Sequence, residues 1–292
     1  MTRVLILGAG GMLGHKLCQQ FRNRFDTWAT VRSSPSNYSK FEILDDARLV
    51  GGVDAANLDS VMRAVATVQP DVIINSIGII KQLAAAKDPI ASLTINSLFP
   101  HRLALLCRSA GIRMIHISTD CVFSGRKGMY LEDDPSDAED LYGRSKFLGE
   151  VSAEGCLTLR TSIIGRELET ISGLVEWFLS NRGGHVRGFT KAIYSGFTTL
   201  ALADIMADLI ESWPHLSGVY QVSSEPIDKY ALLLMLRDAF GIDIEVEPYA
   251  DFVIDRSLDS SHFRSTTKLA LPTWQAMIQT LAQDTTPYDR WR

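Results

Sequence analysis

The chain has 292 residues and a formal net charge of −5, and 46% of its residues are hydrophobic. That is enough apolar material for a large core in one domain or in two unequal lobes. The acidic balance argues against a nucleic-acid partner. No apolar run approaches the roughly 20 residues of a membrane span, and the four cysteines lack the spacing of a disulfide framework or a zinc site. We therefore expect a cytoplasmic protein with no metal and no membrane partner.

The first predicted element is an apolar strand at residues 3–7 that runs into a glycine cluster and an amphipathic helix. Glycines at this point let the turn tighten, the backbone approach a pyrophosphate and the helix pack closely on its strand. The spacing is glycine-two-glycine-two-glycine rather than G-x-G-x-x-G, because position 13 is leucine. An ordinary strand-to-helix turn is the alternative, and a signal peptide is not indicated. The residues expected to hold the phosphates of a dinucleotide are Gly8, Gly11, Met12, Leu13 and Gly14.

The second predicted strand, residues 27–31, is followed by Arg32 and not by a carboxylate. An acid at this position binds the ribose 2′-hydroxyl of NAD, whereas an arginine accommodates the 2′-phosphate of NADP. We therefore predict a preference for NADP(H), with NAD(H) still usable. A solvated surface role for Arg32 is the alternative.

Strands and helices alternate through the first half of the chain. Helical patterns cover residues 57–68, 95–110 and 142–150, and strand patterns cover 71–75, 113–118 and 156–162. The alternation predicts an α/β protein with a Rossmann-type, doubly wound parallel sheet that binds ligands at the carboxyl ends of its strands. Polar residues recur at such ends, where isolated ones usually form only caps and turns. Those expected in the coenzyme site are Asp54, Asn75 and Ser76.

After residue 162 the pattern loosens into shorter elements. Helices are predicted at 201–213, at 228–240 and from residue 273, and strands at 219–222 and 244–247. We expect a smaller α/β lobe over the ligand edge of the sheet. Residues 1–164 with about 190–222 would form the NADP-binding domain, and 165–189 with 223–292 the substrate-binding lobe.

Tyr142 and Lys146 stand four residues apart, which places them on one face of a predicted helix. A phenol has a pKa near ~10. An ammonium about 4 Å away contributes roughly 4 kcal/mol at an effective dielectric near 20, and about 1.4 kcal/mol corresponds to one pKa unit. Lys146 is thus able to lower the pKa of Tyr142 into a range useful for proton transfer to a carbonyl. Simple packing of the ring on the lysine stem is the alternative.

Together these motifs resemble an extended short-chain dehydrogenase/reductase and, within that group, the dTDP-4-dehydrorhamnose reductase family. The similarity covers the glycine turn and residues 75–78, 118–125, 142–146, 159–162 and 256–259. It implies that Tyr142 donates a proton to the oxygen of a 4-keto sugar while reduced nicotinamide delivers hydride. It also implies that Lys146 holds the nicotinamide ribose and that Thr119 hydrogen-bonds the reacting oxygen.

The resemblance further implies a substrate site in which Arg256 contacts the nucleotide phosphates. A structural role for Arg256, and a simple ion pair for Arg160, are the alternatives. The residues expected to contact substrate are Ser118, Asp120, Cys121, Arg160 and Arg256.

Two positions depart from the family pattern. The reductases commonly have an aromatic residue at the position of Cys121, whereas GDP-fucose synthases, which epimerise before reducing, have a cysteine. Cys121 is therefore either an acid–base group of an epimerase-reductase or a small buried filler. Residues 188–199 also differ from the rhamnose enzymes, so a different sugar is compatible with the sequence. His116 lies within an apolar strand and is predicted to be a core residue.

The expected function is NADPH-dependent reduction of the 4-keto group of a nucleotide-linked deoxysugar, in surface polysaccharide or deoxysugar biosynthesis. A nucleotide-sugar epimerase, or an epimerase-reductase, is the alternative enzyme. A non-catalytic NADP-binding regulatory subunit, similar to the β subunit of methionine adenosyltransferase, is the alternative of another class. The expected partner is the nucleotide-sugar substrate, and the sequence leaves a homodimer open.

Overall fold

The fold is seen in a computed structural model that describes residues 1–45 and 48–291, apart from the side chain of Ala84. In chain order its strands are β1 (Arg3–Leu7), β2 (Asp26–Thr30), β3 (Leu49–Val50), β4 (Val72–Asn75), β5 (Arg113–Ile117), β6 (Cys156–Arg160), β7 (Ile163–Ile164), β8 (His185–Phe189), β9 (Ala192–Tyr194), β10 (Phe197–Thr198), β11 (Gly218–Gln221), β12 (Ile227–Asp228), β13 (Glu245–Tyr249) and β14 (Ile254–Asp255).

The helices are α1 (Met12–Phe21), α2 (Leu58–Val68), α3 (Pro89–Ser92), α4 (Phe99–Ala110), α5 (Leu141–Leu148), α6 (Leu174–Ser180), α7 (Thr199–Ser212), α8 (Lys229–Phe240), α9 (Ser261–Thr267), α10 (Trp274–Ala282) and α11 (Tyr288–Trp291). A π-helical turn, Leu93–Leu98, joins α3 to α4. Short 3₁₀ turns occur at Pro35–Asn37, Ser39–Phe41, Ala84–Lys87 and Asp120–Val122.

Within the part of the chain that the structure describes, the main sheet has seven strands in the order β11-β6-β5-β4-β1-β2-β3, and every neighbouring pair is parallel. Successive side chains of a strand point to opposite faces. Accordingly, Val4 and Ile6 enter the core beneath α1 and α7, while Leu5 and Leu7 enter the core beneath α2 and α4. The predicted doubly wound parallel sheet is therefore confirmed.

The strand order reverses between β1 and β4, because the chain builds β2 and β3 on one side of β1 and β5, β6 and β11 beyond β4 on the other. Ligands of open α/β sheets bind in the crevice outside the carboxyl ends of the strands at such a reversal. Here the residue that follows β4 contacts the last residue of β1, since the Ser76 hydroxyl donates to the Leu7 carbonyl oxygen at 2.6 Å.

The helix predicted at 95–110 begins earlier and runs without a break from Pro89 to Ala110, ending at Gly111 with φ +67°. By length and composition it is the one helix in the described ranges that is long and apolar enough to cross a membrane. Its Phe99, Leu103 and Cys107 are buried in the core under the sheet, which is the environment of a core helix.

In the second half of the chain, the described residues add three small sheets: β10 with β7, β12-β9-β14, and β13 with β8. Only β11 returns to the main sheet among these later strands, where it pairs with β6. The apolar residues of α8 and α10 join the same core as those of α1 and α7. These two helices therefore belong to the core on the face of the main sheet that α1 and α7 cover.

Candidate functional site

The turn between β1 and α1 folds closely on itself. Gly8 has φ +93°, a conformation that L side chains rarely adopt. A Cβ atom on Gly14 would lie 2.0 Å from the carbonyl oxygen of Gly8, so only glycine fits there. The helix then starts at Met12 with no side-chain cap from the described residues, which leaves its first backbone N–H groups available to an anion. This cradle fits the pyrophosphate of a dinucleotide.

The adenosine end of the predicted coenzyme site is open. Arg32 follows β2 on an exposed loop and makes no hydrogen bond or ion pair with the described residues, so its guanidinium is available to a 2′-phosphate. Asp54 is half-buried, and its carboxylate accepts from the backbone N–H of Ala56 at 2.9 Å. The side chain of Leu13 is buried in the core, so Leu13 can serve a coenzyme only through its backbone.

Asn75 does not face the crevice, contrary to the expectation that it contacts coenzyme. Its side chain is fully buried. Its Nδ2 lies 3.1 Å from Nδ1 of His116, and its Oδ1 accepts from the N–H of Ile77 at 3.2 Å. Burial also keeps the pKa of His116 well below its usual value, as expected for a core histidine. Asn75 and His116 therefore support the loop after β4 from within the core.

Tyr142 and Lys146 lie on α5, whose start is capped by Asp140 accepting from the N–H of Gly143 at 2.8 Å. The ammonium of Lys146 donates to the carbonyl oxygen of Ile117 at 2.7 Å. It would also lie 4.0 Å from a Cβ on Gly78. Lys146 therefore reaches from α5 to the end of β5 and to the loop after β4, where the nicotinamide ribose of a Rossmann-bound coenzyme would lie.

The pKa of Tyr142 moves in the direction opposite to the expected one. Burial raises it, the neighbouring Cys121 and Asp120 act in the same sense, and the Thr119 side chain opposes them. Burial also lowers the pKa of Lys146 to about 8, against the charge of Glu150. The expectation of a phenol acidified by Lys146 is therefore wrong for the protein itself, because desolvation dominates. Tyr142 is protonated at neutral pH, which suits a proton donor.

Thr119, Asp120 and Cys121 form a polar turn immediately after β5. The Thr119 hydroxyl donates to Asp120 Oδ1 at 3.1 Å and accepts from the N–H of Cys121 at 3.1 Å. Arg256 reaches this turn from the loop after β14. Its Nε donates to the carbonyl oxygen of Phe123 at 3.0 Å and its Nη1 lies 3.6 Å from Cys121 Sγ. Burial raises the pKa of Cys121 to about 12, so the thiol stays protonated.

Lys229, the first residue of α8, belongs to the same neighbourhood and was not predicted. Burial lowers its pKa, while the charge of Asp120 raises it and that of Arg256 lowers it. Tyr194 is a second unpredicted neighbour. Its buried hydroxyl has no hydrogen-bond partner among the described residues, and its pKa is raised by burial and, to a smaller extent, by the charge of Asp120. No local sequence signal marks either residue, since their partners are far away in the chain.

Arg160 and Ser118 are engaged elsewhere, which corrects their expected role as substrate contacts. Nε and Nη2 of Arg160 donate to the carboxylate of Glu150 at 2.9 and 2.8 Å, and its Nη1 donates to the carbonyl oxygen of Glu132 at 3.0 Å. The Ser118 hydroxyl donates to the same carboxylate at 2.6 Å. Both side chains are buried. The alternative of a structural ion pair is the one the structure supports for Arg160.

The π-helical turn holds α5 in place. It turns two consecutive residues, Asn96 and Ser97, towards α5. Asn96 Nδ2 donates to the hydroxyl of Ser145 at 3.2 Å and its Oδ1 accepts from the N–H of Ile79 at 2.9 Å. The Ser97 hydroxyl donates to the carbonyl oxygen of Ser145 at 2.8 Å. Sequence periodicity missed this clamp, because a π-turn breaks the 3.6-residue repeat.

Comparisons with known proteins agree with this arrangement. The model of the RmlD substrate binding domain matches residues 1–286. The spore coat polysaccharide biosynthesis protein SpsK of Bacillus subtilis is 29% identical over 237 residues, which cover 78% of this chain and 75% of that protein. The methionine adenosyltransferase 2 subunit beta of Danio rerio is 27% identical over 258 residues, which cover 82% and 74%.

A solved structure has the same fold. The dTDP-4-dehydrorhamnose reductase of Bacillus anthracis, in complex with NADP, superposes with a TM-score of 0.79 over 98% of this chain and 100% of that one, at 21% identity. Because the family model matches nearly the whole chain, the protein belongs to the RmlD substrate binding domain family, which confirms the predicted relationship to the dTDP-4-dehydrorhamnose reductases.

Proposed function

We propose that this protein is an NADPH-dependent reductase of the 4-keto group of a nucleotide-linked deoxysugar. The observation that carries the proposal is the meeting of Tyr142, Thr119 and Lys146 beside the glycine cradle, at the carboxyl edge of the sheet. Membership of the family makes the chain an NAD(P)-dependent oxidoreductase. The name of the Bacillus subtilis relative supports a role in polysaccharide biosynthesis, and such a role would place the protein in the cytoplasm.

In this mechanism the coenzyme supplies the hydride and the chain supplies the proton. The half-buried Tyr142 holds its proton at neutral pH and donates it to the carbonyl oxygen of the sugar. The Thr119 hydroxyl, which donates to Asp120 in the structure, would turn its hydrogen bond to that same oxygen. Lys146 would hold the nicotinamide ribose, and its charge favours the phenolate that forms as the proton leaves.

The substrate's diphosphate would lie against Arg256 and Lys229. Both cations are half-buried, and both lie close enough to Asp120 to alter its pKa or to be altered by it. Arg160 takes no part, because its guanidinium is occupied by Glu150. We also retain as a proposal the division into a coenzyme domain, residues 1–164 with about 190–222, and a substrate lobe, residues 165–189 with 223–292.

The proposal is tested by NADPH oxidation across a panel of 4-keto dTDP-, UDP- and GDP-sugars. We expect stoichiometric consumption of NADPH with at least one of them. Tyr142→Phe should abolish this turnover and leave NADPH binding close to that of the wild type, because the hydroxyl serves only the proton transfer. NADPH binding without turnover on any sugar would instead indicate a regulatory subunit.

A combined epimerase-reductase is the second candidate, because Cys121 is both in the site and protonated. A protonated thiol there can return a proton to a carbon next to the keto group once a base on the opposite face has removed one, and the thiol is then reprotonated from solvent. In D₂O an epimerase-reductase would place deuterium at that carbon, and Cys121→Ser would abolish the incorporation. A product without deuterium at that carbon would show that the enzyme reduces the keto group and does not epimerise the neighbouring carbon.

A further inference from the structure

The segment Asp284–Trp291, which we call the strap, lies against the helix of the glycine cradle. Tyr288 is 1% exposed. Its hydroxyl lies 2.7 Å from Nε2 of His15, whose Nδ1 lies 2.9 Å from the carbonyl oxygen of Gly11. Since a carbonyl can only accept, Nδ1 carries the proton and Nε2 accepts from Tyr288. Burial lowers the pKa of His15 to about 4, so the ring is neutral and this hydrogen-bond chain is fixed in direction.

A buried ion pair ties the strap to the next residue of the helix. The ammonium of Lys16 forms an ion pair with Asp284, whose Oδ2 lies 2.5 Å away. It also donates to the Thr286 hydroxyl at 2.9 Å. It also lies 5.1 Å from the centre of the Tyr288 ring. The strap therefore binds α1 through two consecutive residues of its first turns.

The other side of Tyr288 meets the loop at residues 166–173. The guanidinium of Arg166 lies 4.7 Å from the centre of the Tyr288 ring and donates to Glu176 at 2.6 Å. Within the loop, Glu167 Oε2 accepts from the N–H of Gly173 at 2.8 Å. A Cβ on Gly173 would lie 2.7 Å from Met12 Cε. The loop thus packs directly on the residue that starts α1.

We propose that Tyr288 and His15 are positioning residues for the coenzyme's diphosphate. Through His15, the strap fixes the carbonyl of Gly11 at the rim of the cradle. Through Arg166, it fixes the loop that packs on Met12. A preformed site binds more tightly than one that must be ordered by its ligand. The inference rests on the proposed function only in that the ligand is a dinucleotide, and it needs no sugar.

The test is NADPH titration of Tyr288→Phe, followed by fluorescence. We expect the Kd for NADPH to rise about tenfold, equivalent to about 1.4 kcal/mol, while kcat at saturating coenzyme stays within about twofold. Tyr130→Phe is the matched control. Its hydroxyl is also buried and accepts from the N–H groups of Gly125 and Lys127, each at 3.1 Å, away from the cradle. The control should lower the Tm and leave the Kd unchanged.

The pairing with His15 is tested by a double-mutant cycle. If Tyr288 acts through His15, the effects of His15→Leu and Tyr288→Phe on the Kd will be clearly less than additive. Wild-type affinity in Tyr288→Phe, or an equal loss in Tyr130→Phe, would overturn the inference. NADPH binding by the wild type without reduction of any sugar would defeat the proposed function alone, because the titration would still report on the strap.

Discussion

The two glycines at the start of α1 should fail in different ways when each is replaced by alanine. In Gly14→Ala the new methyl would lie 2.0 Å from the Gly8 carbonyl oxygen and 2.8 Å from its carbon. These are backbone atoms, so the helix must move by roughly 1 Å to restore a normal contact. Overpacking costs about 1–3 kcal/mol, and a contact this short belongs at or beyond the upper end. The better helix propensity of alanine returns about 1 kcal/mol.

We therefore expect Gly14→Ala to lose about 2 kcal/mol of unfolding free energy, which lowers the Tm by several degrees. Gly11→Ala should keep the unfolding free energy of the wild type, because the new methyl would lie 3.4 Å from the nearest atom and the residue has an ordinary φ of −79°. Gly11 is exposed on the rim of the cradle, so the methyl would stand in the path of the diphosphate. There we expect at least a tenfold weaker Kd for NADPH, or about 1.4 kcal/mol.

Chemical denaturation without coenzyme and NADPH titration measure the two effects separately. The reasoning fails if Gly14→Ala is as stable as the wild type. It also fails if Gly11→Ala binds NADPH normally, since the cradle would then not be the phosphate site.

Three further outcomes follow from the structure. Arg32→Ala should lower the ratio of kcat/KM for NADPH to that for NADH by at least about tenfold. An unchanged ratio would show that Arg32 is a solvated surface residue with no role in binding the coenzyme. Glu150→Gln should cost about 3–5 kcal/mol in denaturation, because Arg160 is left buried and unpaired, whereas Glu139→Gln in an exposed ion pair should cost less than about 1 kcal/mol; equal costs would contradict the role given to burial. His15 has a pKa of about 4 against an ordinary 6.5, so the unfolded chain takes up the proton first as the pH falls. Its contribution, about 3 kcal/mol, is complete above pH 6.5 and lost towards pH 4, and His15→Gln should flatten that part of the pH–stability curve relative to the wild type.

The parts of the fold that could be predicted are those with local causes. Apolar runs of strand length marked the central strands, and glycines marked the ends of two helices, where Gly111 and Gly241 have φ +67° and +58°. Even there, the width of a buried face was not predictable. Met62 of α2 is 46% exposed although it follows the buried Val61, so the buried stripe of α2 is narrower than its run of apolar residues.

The partners of polar side chains were predicted less well, because they depend on which distant elements meet. The partner of Arg160 is Glu150, in the loop between α5 and β6. Lys229 lies near Asp120, from which it is separated by more than a hundred residues of chain. The pKa of Tyr142 was misjudged for the same reason. One neighbour four residues away was visible in the sequence, but desolvation is produced by everything around the ring.

The π-helical turn at Leu93–Leu98 should make the protein sensitive to deletion of a residue in this stretch. Each residue of an α-helix turns the chain by about 100°. Deleting one residue here would restore regular hydrogen bonding but swing either Asn96 or Ser97 away from Ser145. The number of residues in this stretch therefore sets the angle at which Tyr142 is presented. Attempts to stiffen the protein by regularising the helix at Pro89–Ala110 should misalign Tyr142, even though none of the three residues Thr119, Tyr142 and Lys146 is altered.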